Sequence, residues 1–322
     1  MNLIKKYKII VISIIIFIIF NIPLPYYIDA PGGIENVNKN IKIQGYDAKG
    51  SLNIVYVREY RATIPLILYS LFRHNYDIIK QSDVVLYEEK NIDYEKRDKL
   101  LMDESISNAI YVAYTSANKD IEILENKVYV LYNENKDSDL KVYDEIIKIN
   151  NKNISNKSDI IDILSNLNEY DKVKIDVINN NKEYTRYAKL NTDKKLGILI
   201  SNIKEYKTKP NIKINKDDDQ SGPSGGLMMA LYIYNKLTKY DITSGKKIVG
   251  TGTIELDGTI GVIGRVKYKL ESAVKSKADI FLVPDGDNCK EVKRIKKEKK
   301  YNINIKCVST FDSALKFLKN AN

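Results

Sequence analysis

Residues 216–237 read KDDDQSGPSGGLMMALYIYNKL, and residues 247–284 read KIVGTGTIELDGTIGVIGRVKYKLESAVKSKADIFLVP. In the first stretch a proline and glycines surround Ser224. Leu227, Leu231, Tyr234 and Leu237 then recur on one helical face. The pattern predicts a tight loop running into a helix, with Ser224 at or just before its first turn. Backbone N–H groups are unpaired at such a position, and the helix dipole favours negative charge there. That suits a serine nucleophile whose attack creates an oxyanion. A helix cap or an anion-binding turn fits the same placement. A P-loop does not, because no GK followed by Ser or Thr occurs at the required spacing.

The second stretch predicts a hairpin at Asp257-Gly258 between β-rich runs. A helix over 264–278 follows, then a buried strand over DIFLVP. NINIKCVST reads as a further strand and FDSALKFLKN as a closing helix, so the unit is α/β or α+β. Two lysines compete for a role on the middle helix, and helical phase separates them. Lys269 lies three residues after Val266, four before Ala273 and beside Leu270, on the apolar stripe. Lys267 lies four before Glu271, as in an exposed ion pair. A lysine turned inward is desolvated and more readily neutral, so Lys269 is the candidate to take a proton from Ser224. A snorkelling lysine is the plainer alternative.

Scarce residues narrow the chemistry. His74 is the lone histidine, so a Ser-His-Asp triad would have to use it; its setting next to Arg73 in an expected helix reads as structural. Cys289 and Cys307 form no CxxC pair, which argues against zinc and leaves a disulfide open. No metal and no cofactor is expected. The net charge of +10 reflects scattered lysines, and no nucleic-acid motif accompanies it.

At the amino terminus, Ile9 to Ile28 carry no charge and follow Lys5, Lys6 and Lys8. That predicts a cytoplasmic tail (1–8) and a transmembrane anchor (9–28), with the rest of the chain outside the cytoplasm in a single-pass topology. Pro23 and Pro25 would end the helix, with Tyr26 and Tyr27 as interfacial aromatics. A signal peptide cut after Ala30 is disfavoured by Pro31. Residues 29–125 read as an α/β region, with strands over 41–57 and helices over 62–81 and 95–118. No chemistry is identifiable there.

Residues 126–193 hold a strand (KVYVLY), the segment DLKVYDEIIKINNKNI, a helix capped by Ser155 or Ser158, and a hairpin around Asn179–Asn181. The run from Leu140 through Asp144 and Ile146 to Asn150 resembles a PDZ domain, although Tyr143 stands where that family has glycine and no glycine-rich loop precedes the run. The resemblance implies a β-rich unit able to add a peptide as an extra strand. A packing module that shields its neighbour is the alternative.

GPSGGLMMAL, GTGTIELDGTIGVIG and RVKYKLESAVKSKADIFLVP together resemble the proteolytic domain of Lon-family serine peptidases, over roughly 195–320. The resemblance implies Ser224 as nucleophile, Lys269 as base and Thr251 as the supporting threonine, with possible assembly into homo-oligomers. Arg265 departs from the family pattern by replacing a glycine. No Walker motif is present. The whole layout is similar to that of membrane-anchored, ATP-independent Lon-like proteases with a PDZ domain, which implies protein or peptide substrates. A tethered PDZ-like binding protein with an inactive Lon-like domain is the alternative.

Overall fold

A computed structural model describes residues 3–73, 75–216 and 220–320, so His74 lies outside the described residues. The elements run α1 (Leu3–Asn21), β1 (Tyr26–Asn36), β2 (Ile41–Ile43), β3 (Ser51–Arg61), α2 (Ile64–Leu71), β4 (Asp77–Lys80) and α3 (Asn91–Ser116). Next come β5 (Asp120–Asn133), β6 (Glu145–Ile149), β7 (Lys152–Asn153), α4 (Lys157–Ser165), β8 (Lys172–Asn179), β9 (Lys182–Lys189), β10 (Ile198–Lys209) and β11 (Ile212–Ile214). The chain ends with α5 (Gly226–Leu237), β12 (Lys247–Gly250), α6 (Val266–Lys275), β13 (Ile280–Pro284), α7 (Asp287–Lys299), β14 (Asn304–Val308) and α8 (Phe311–Asn320).

One mixed sheet, in the order β14-β13-β12-β3-β1-β4, carries the site. Its residues alternate between two cores, as the two-residue period of a strand requires. Leu52, Ile248 and Leu282 join α3, α5 and α8 in one core, while Val55, Val249 and Phe281 join α6 and α7 in the other. The sheet is thus covered by helices on both faces. It draws strands both from residues 26–80 and from 247–308, so the sequence boundaries at 29–125 and 195–320 do not separate two sheets.

Several expectations change. The apolar amino-terminal segment is helical only to Asn21, and among the described residues no helix is long and apolar enough to cross a membrane. Lys5, Lys6 and Lys8 occupy its first turns. At about 1.5 Å per residue, the uncharged part from Ile9 to Asn21 spans only about 20 Å. Tyr26, Tyr27 and Ile28, expected at the end of the span, begin β1 instead. Tyr27 and Ile28 are buried in the sheet, and Tyr27 donates to Asn91 Oδ1 at 2.8 Å. The helix expected over 62–81 stops at Leu71, because 77–80 pair with β1 as an antiparallel edge strand. The helix at 226–237 is buried all round, not along one face, because it packs between the sheet and α3. The Asp257-Gly258 turn forms, with Gly258 at φ 82°, but no flanking strands pair. Only two backbone hydrogen bonds close it, Gly258 N to Glu255 O and Glu255 N to Thr259 O, each at 2.9 Å.

A second, antiparallel sheet, β10-β5-β6-β8-β9, packs α4 against Val128, Ile146, Ile175 and Val177. The cap of α4 is Asn156 in a reciprocal capping box with Asp159, where Ser155 or Ser158 was expected. The hairpin turns at Asn180 and Asn181, both left-handed (φ 51° and 60°), as a two-residue turn demands. Asp144, fully buried, ties this unit together: it accepts from Lys141 N at 2.8 Å and Asn179 Nδ2 at 2.7 Å and pairs with Arg186 at 3.2 Å. Cys289 on α7 and Cys307 on β14 are joined in a disulfide.

Candidate active site

Ser224 and Lys269 come from helices on opposite faces of the large sheet. They meet beyond the carboxyl end of β12, where Thr251 follows Gly250. Ser224 sits in a 3-10 turn (Pro223–Gly225) that leads straight into α5. That turn is held from both sides. Ser105 on α3 donates to Pro223 O at 2.8 Å, and Gly252 N donates to Ser224 O at 2.8 Å. Asn108, one helical turn on, donates to Ile254 O at 3.0 Å and fixes the facing loop. Gly226 is required by close approach: a Cβ there would lie 2.3 Å from Ser105 Oγ.

Lys269 Nζ lies 2.9 Å from Ser224 Oγ and donates to Thr251 Oγ1 at 3.1 Å. Thr251 is fully buried, and its own hydroxyl donates to Ser224 O at 3.1 Å. The threonine's acceptor side is therefore turned to the lysine. With one N–H committed to Thr251, the amine lone pair is free to face the serine hydroxyl. Lys269 is 5% exposed. Burial first, and then the positive charge of Arg265, push its amine down from 10.5 to about 7. An amine near neutrality at ordinary pH can accept a proton from Ser224 and later return it to a leaving group.

Lys267 is not part of this arrangement. It pairs with Asp77 at 3.0 Å with its side chain 37% exposed. The expected partner Glu271 is instead buried at 6% exposure, since its face of α6 turns into the fold. Among the described residues, the one grouping of potential metal ligands is Asp285 with Cys289 and Cys307, whose sulfurs are committed to the disulfide.

The sequence reading missed Ser105 and Asn108 entirely. Their signal is the cluster of three polar residues, Ser105, Ser107 and Asn108, all buried, at the start of the run SISNAIYVA of α3. It also gave Arg265 no role beyond replacing a glycine of the family pattern. Arg265 opens α6 in the left-handed region (φ 58°), a conformation that favours glycine. It forms ion pairs with Asp29 on β1 and Glu59 on β3.

A half-buried serine and a buried lysine thus meet beside a helix amino terminus on a mixed α/β scaffold, an arrangement with the parts that hydrolytic chemistry uses. Residues 204–320 match the family model described as the Lon protease (S16) C-terminal proteolytic domain. The chain is similar to Lon protease of Haemophilus influenzae, 32% identical over 126 residues, which is 38% of this chain and 15% of that protein. It is also similar to Lon protease of Neorickettsia sennetsu, 34% identical over 98 residues (30% of this chain, 12% of that protein). A match to Lon protease of Trichlorobacter lovleyi is 32% identical over 97 residues, with the same coverage of 30% and 12%. The match thus spans about an eighth to a seventh of the length of these relatives. These likenesses support a serine peptidase domain in the carboxyl-terminal part of the chain.

Proposed function

We propose that this protein is a serine endopeptidase that works without ATP, with Ser224 as nucleophile and Lys269 as general base. One observation carries the reading: a buried amine 2.9 Å from a serine hydroxyl at a helix start. Ser224 Oγ attacks a peptide carbonyl, and its proton passes to Lys269. The oxyanion develops at the positive end of α5. The C–N bond then breaks as Lys269 returns the proton to the leaving amine, and water hydrolyses the acyl-enzyme. Substrates that are already unfolded, or loops and peptides that are exposed, are part of the same proposal.

Attachment to a membrane through α1, with the catalytic unit outside the cytoplasm, is part of the same proposal. Its support is the exposed apolar surface of Ile9 to Phe20 following three lysines. A peptide-holding role for the PDZ-like unit is also proposed; its support is the resemblance of Leu140 through Asn150 and the antiparallel sheet packed on α4, whereas the outer edge of β10 is taken by Glu104 and Ser107 of α3.

The test uses the full-length chain, because a fragment starting near residue 32 would cut β1. It is incubated with an unfolded casein-type substrate without ATP, beside Ser224→Ala, Lys269→Ala and Lys267→Ala. Cleavage by the parent and by Lys267→Ala alone is expected. No cleavage by the parent, or equal cleavage by Ser224→Ala, refutes the reading. Cell fractionation with external protease tests the location, and a protected carboxyl terminus overturns it.

A further inference from the structure

We propose that Arg265 is a positioning residue for the Ser224–Lys269 pair: its guanidinium, clamped by Asp29 and Glu59 one helical turn before Lys269, disfavours a second cation there and keeps the amine ready to accept the serine proton. This rests on the peptidase reading above.

The backbone is the first sign that Arg265 has a role of its own. An arginine in the left-handed region carries a conformational cost that glycine would not. Here the position is nonetheless occupied by an arginine whose side chain bonds both Asp29 and Glu59 on the neighbouring strands. Asp29 is fully buried, so the guanidinium is fixed from below by a carboxylate that has nowhere else to turn. Although burial works against it, Glu59 and Asp29 raise the guanidinium further above its ordinary value. Arg265 therefore stays a permanent charge at the start of α6.

The surroundings leave Arg265 as the cation that acts on Lys269. From β4, Asp77 offsets Lys267. From α3, Tyr94 and Asp98 face the Arg265 side, and Tyr94 donates to Glu59 at 3.0 Å. α7 turns the uncharged Asn288, Cys289, Val292 and Ile295 inward. Glu271 on α6 lies toward Tyr268 and Tyr301. Two positive charges a helical turn apart in a desolvated setting repel, so the arginine opposes protonation of Lys269. Removing it deletes that repulsion, so the amine should hold its proton to higher pH.

The experiment titrates Lys269 directly. Ser224→Ala protein, full-length, is exposed to a small acylating reagent across pH 5.5 to 10, as about ten points, and acylation of Lys269 is read by mass spectrometry; only the neutral amine reacts. The half-point is expected near the parent's value in Arg265→Lys. In Arg265→Gly it is expected about one pH unit higher or more, with roughly tenfold slower acylation below it. The acid limb of kcat/KM in the Ser224-containing versions should move by the same amount. An unchanged half-point in Arg265→Gly overturns the proposal even if cleavage persists. If Arg265→Gly does not fold, Arg265→Asn, which also tolerates the left-handed region, carries the same comparison. A parent that never cleaves refutes the peptidase reading, while the acylation half-points still decide the role of Arg265.

Discussion

Replacing Lys269 by methionine should stabilise the protein at neutral pH, and the gain should shrink as pH rises. The reasoning starts from the amine held near 7 in the folded protein against 10.5 for a free lysine. Between those values the unfolded chain binds more protons than the native one, so native stability rises with pH across this window. The sign follows because the folded state resists the charged form. Integrating the difference gives a destabilisation of about 4 kcal/mol at pH 7 and about 2 kcal/mol at pH 9. Methionine removes this term and matches the apolar stem. It also forfeits the hydrogen bonds to Ser224 and Thr251, about 1 kcal/mol each. The variant should therefore exceed the parent by about 2 kcal/mol at pH 7 and roughly match it at pH 9. Denaturant unfolding followed by circular dichroism at both pH values measures the gap. Other titrating groups are common to both proteins and cancel. A gap equal at pH 7 and pH 9 would mean that Lys269 is not desolvated, and the argument for its role as a base would fall with it.

Three further outcomes follow from the same contacts. Thr251→Val keeps the shape of a fully buried side chain but removes the acceptor for Lys269, so kcat should fall about 10- to 100-fold with KM little changed in steady-state assays. Gly226→Ala places a methyl group 2.3 Å from Ser105 Oγ, so α3 and the Ser224 turn must separate; cleavage should be lost and the thermal midpoint lowered, with Ser105→Ala in the same chain restoring part of both. Asp144→Ala strips the partner from Arg186, whose side chain is only 15% exposed, and should cost about 3 kcal/mol in denaturant unfolding while leaving Ser224-dependent peptide cleavage measurable.

The parts of the site legible in the sequence were those with a local signature. Ser224 was marked by its glycines and the apolar run behind it. Lys269 was separated from Lys267 by helical phase and by the family resemblance, and the structure places the first at Ser224 and the second on Asp77. What stayed hidden was set by distant pairing. Nothing in DIIK says that it will pair with Tyr26–Asp29 rather than extend α2. The apolar run after residue 9 looked continuous through Ile28, yet its last residues belong to a sheet whose partner strand begins at Ser51. Ser105 and Asn108 reach the site only because α3 crosses α5 at the helix start that carries Ser224.

The division of labour across the chain sharpens what the family match covers. The matched segment, 204–320, contributes Ser224, Thr251 and Lys269. The elements that set their behaviour come from before it: Asp29 and Glu59 hold Arg265, and Ser105 and Asn108 hold the two loops. A Ser224–Lys269 contact built by 204–320 alone would therefore lack both the clamp on its electrostatics and the brace on its nucleophile turn. Burial gives the amine its neutrality, and that burial depends on β1 and β3 closing the sheet beneath α6. On the proposed mechanism the upstream strands belong to the unit that cleaves, and a truncation that spares every residue of the matched segment but cuts β1 should abolish cleavage as completely as loss of Ser224.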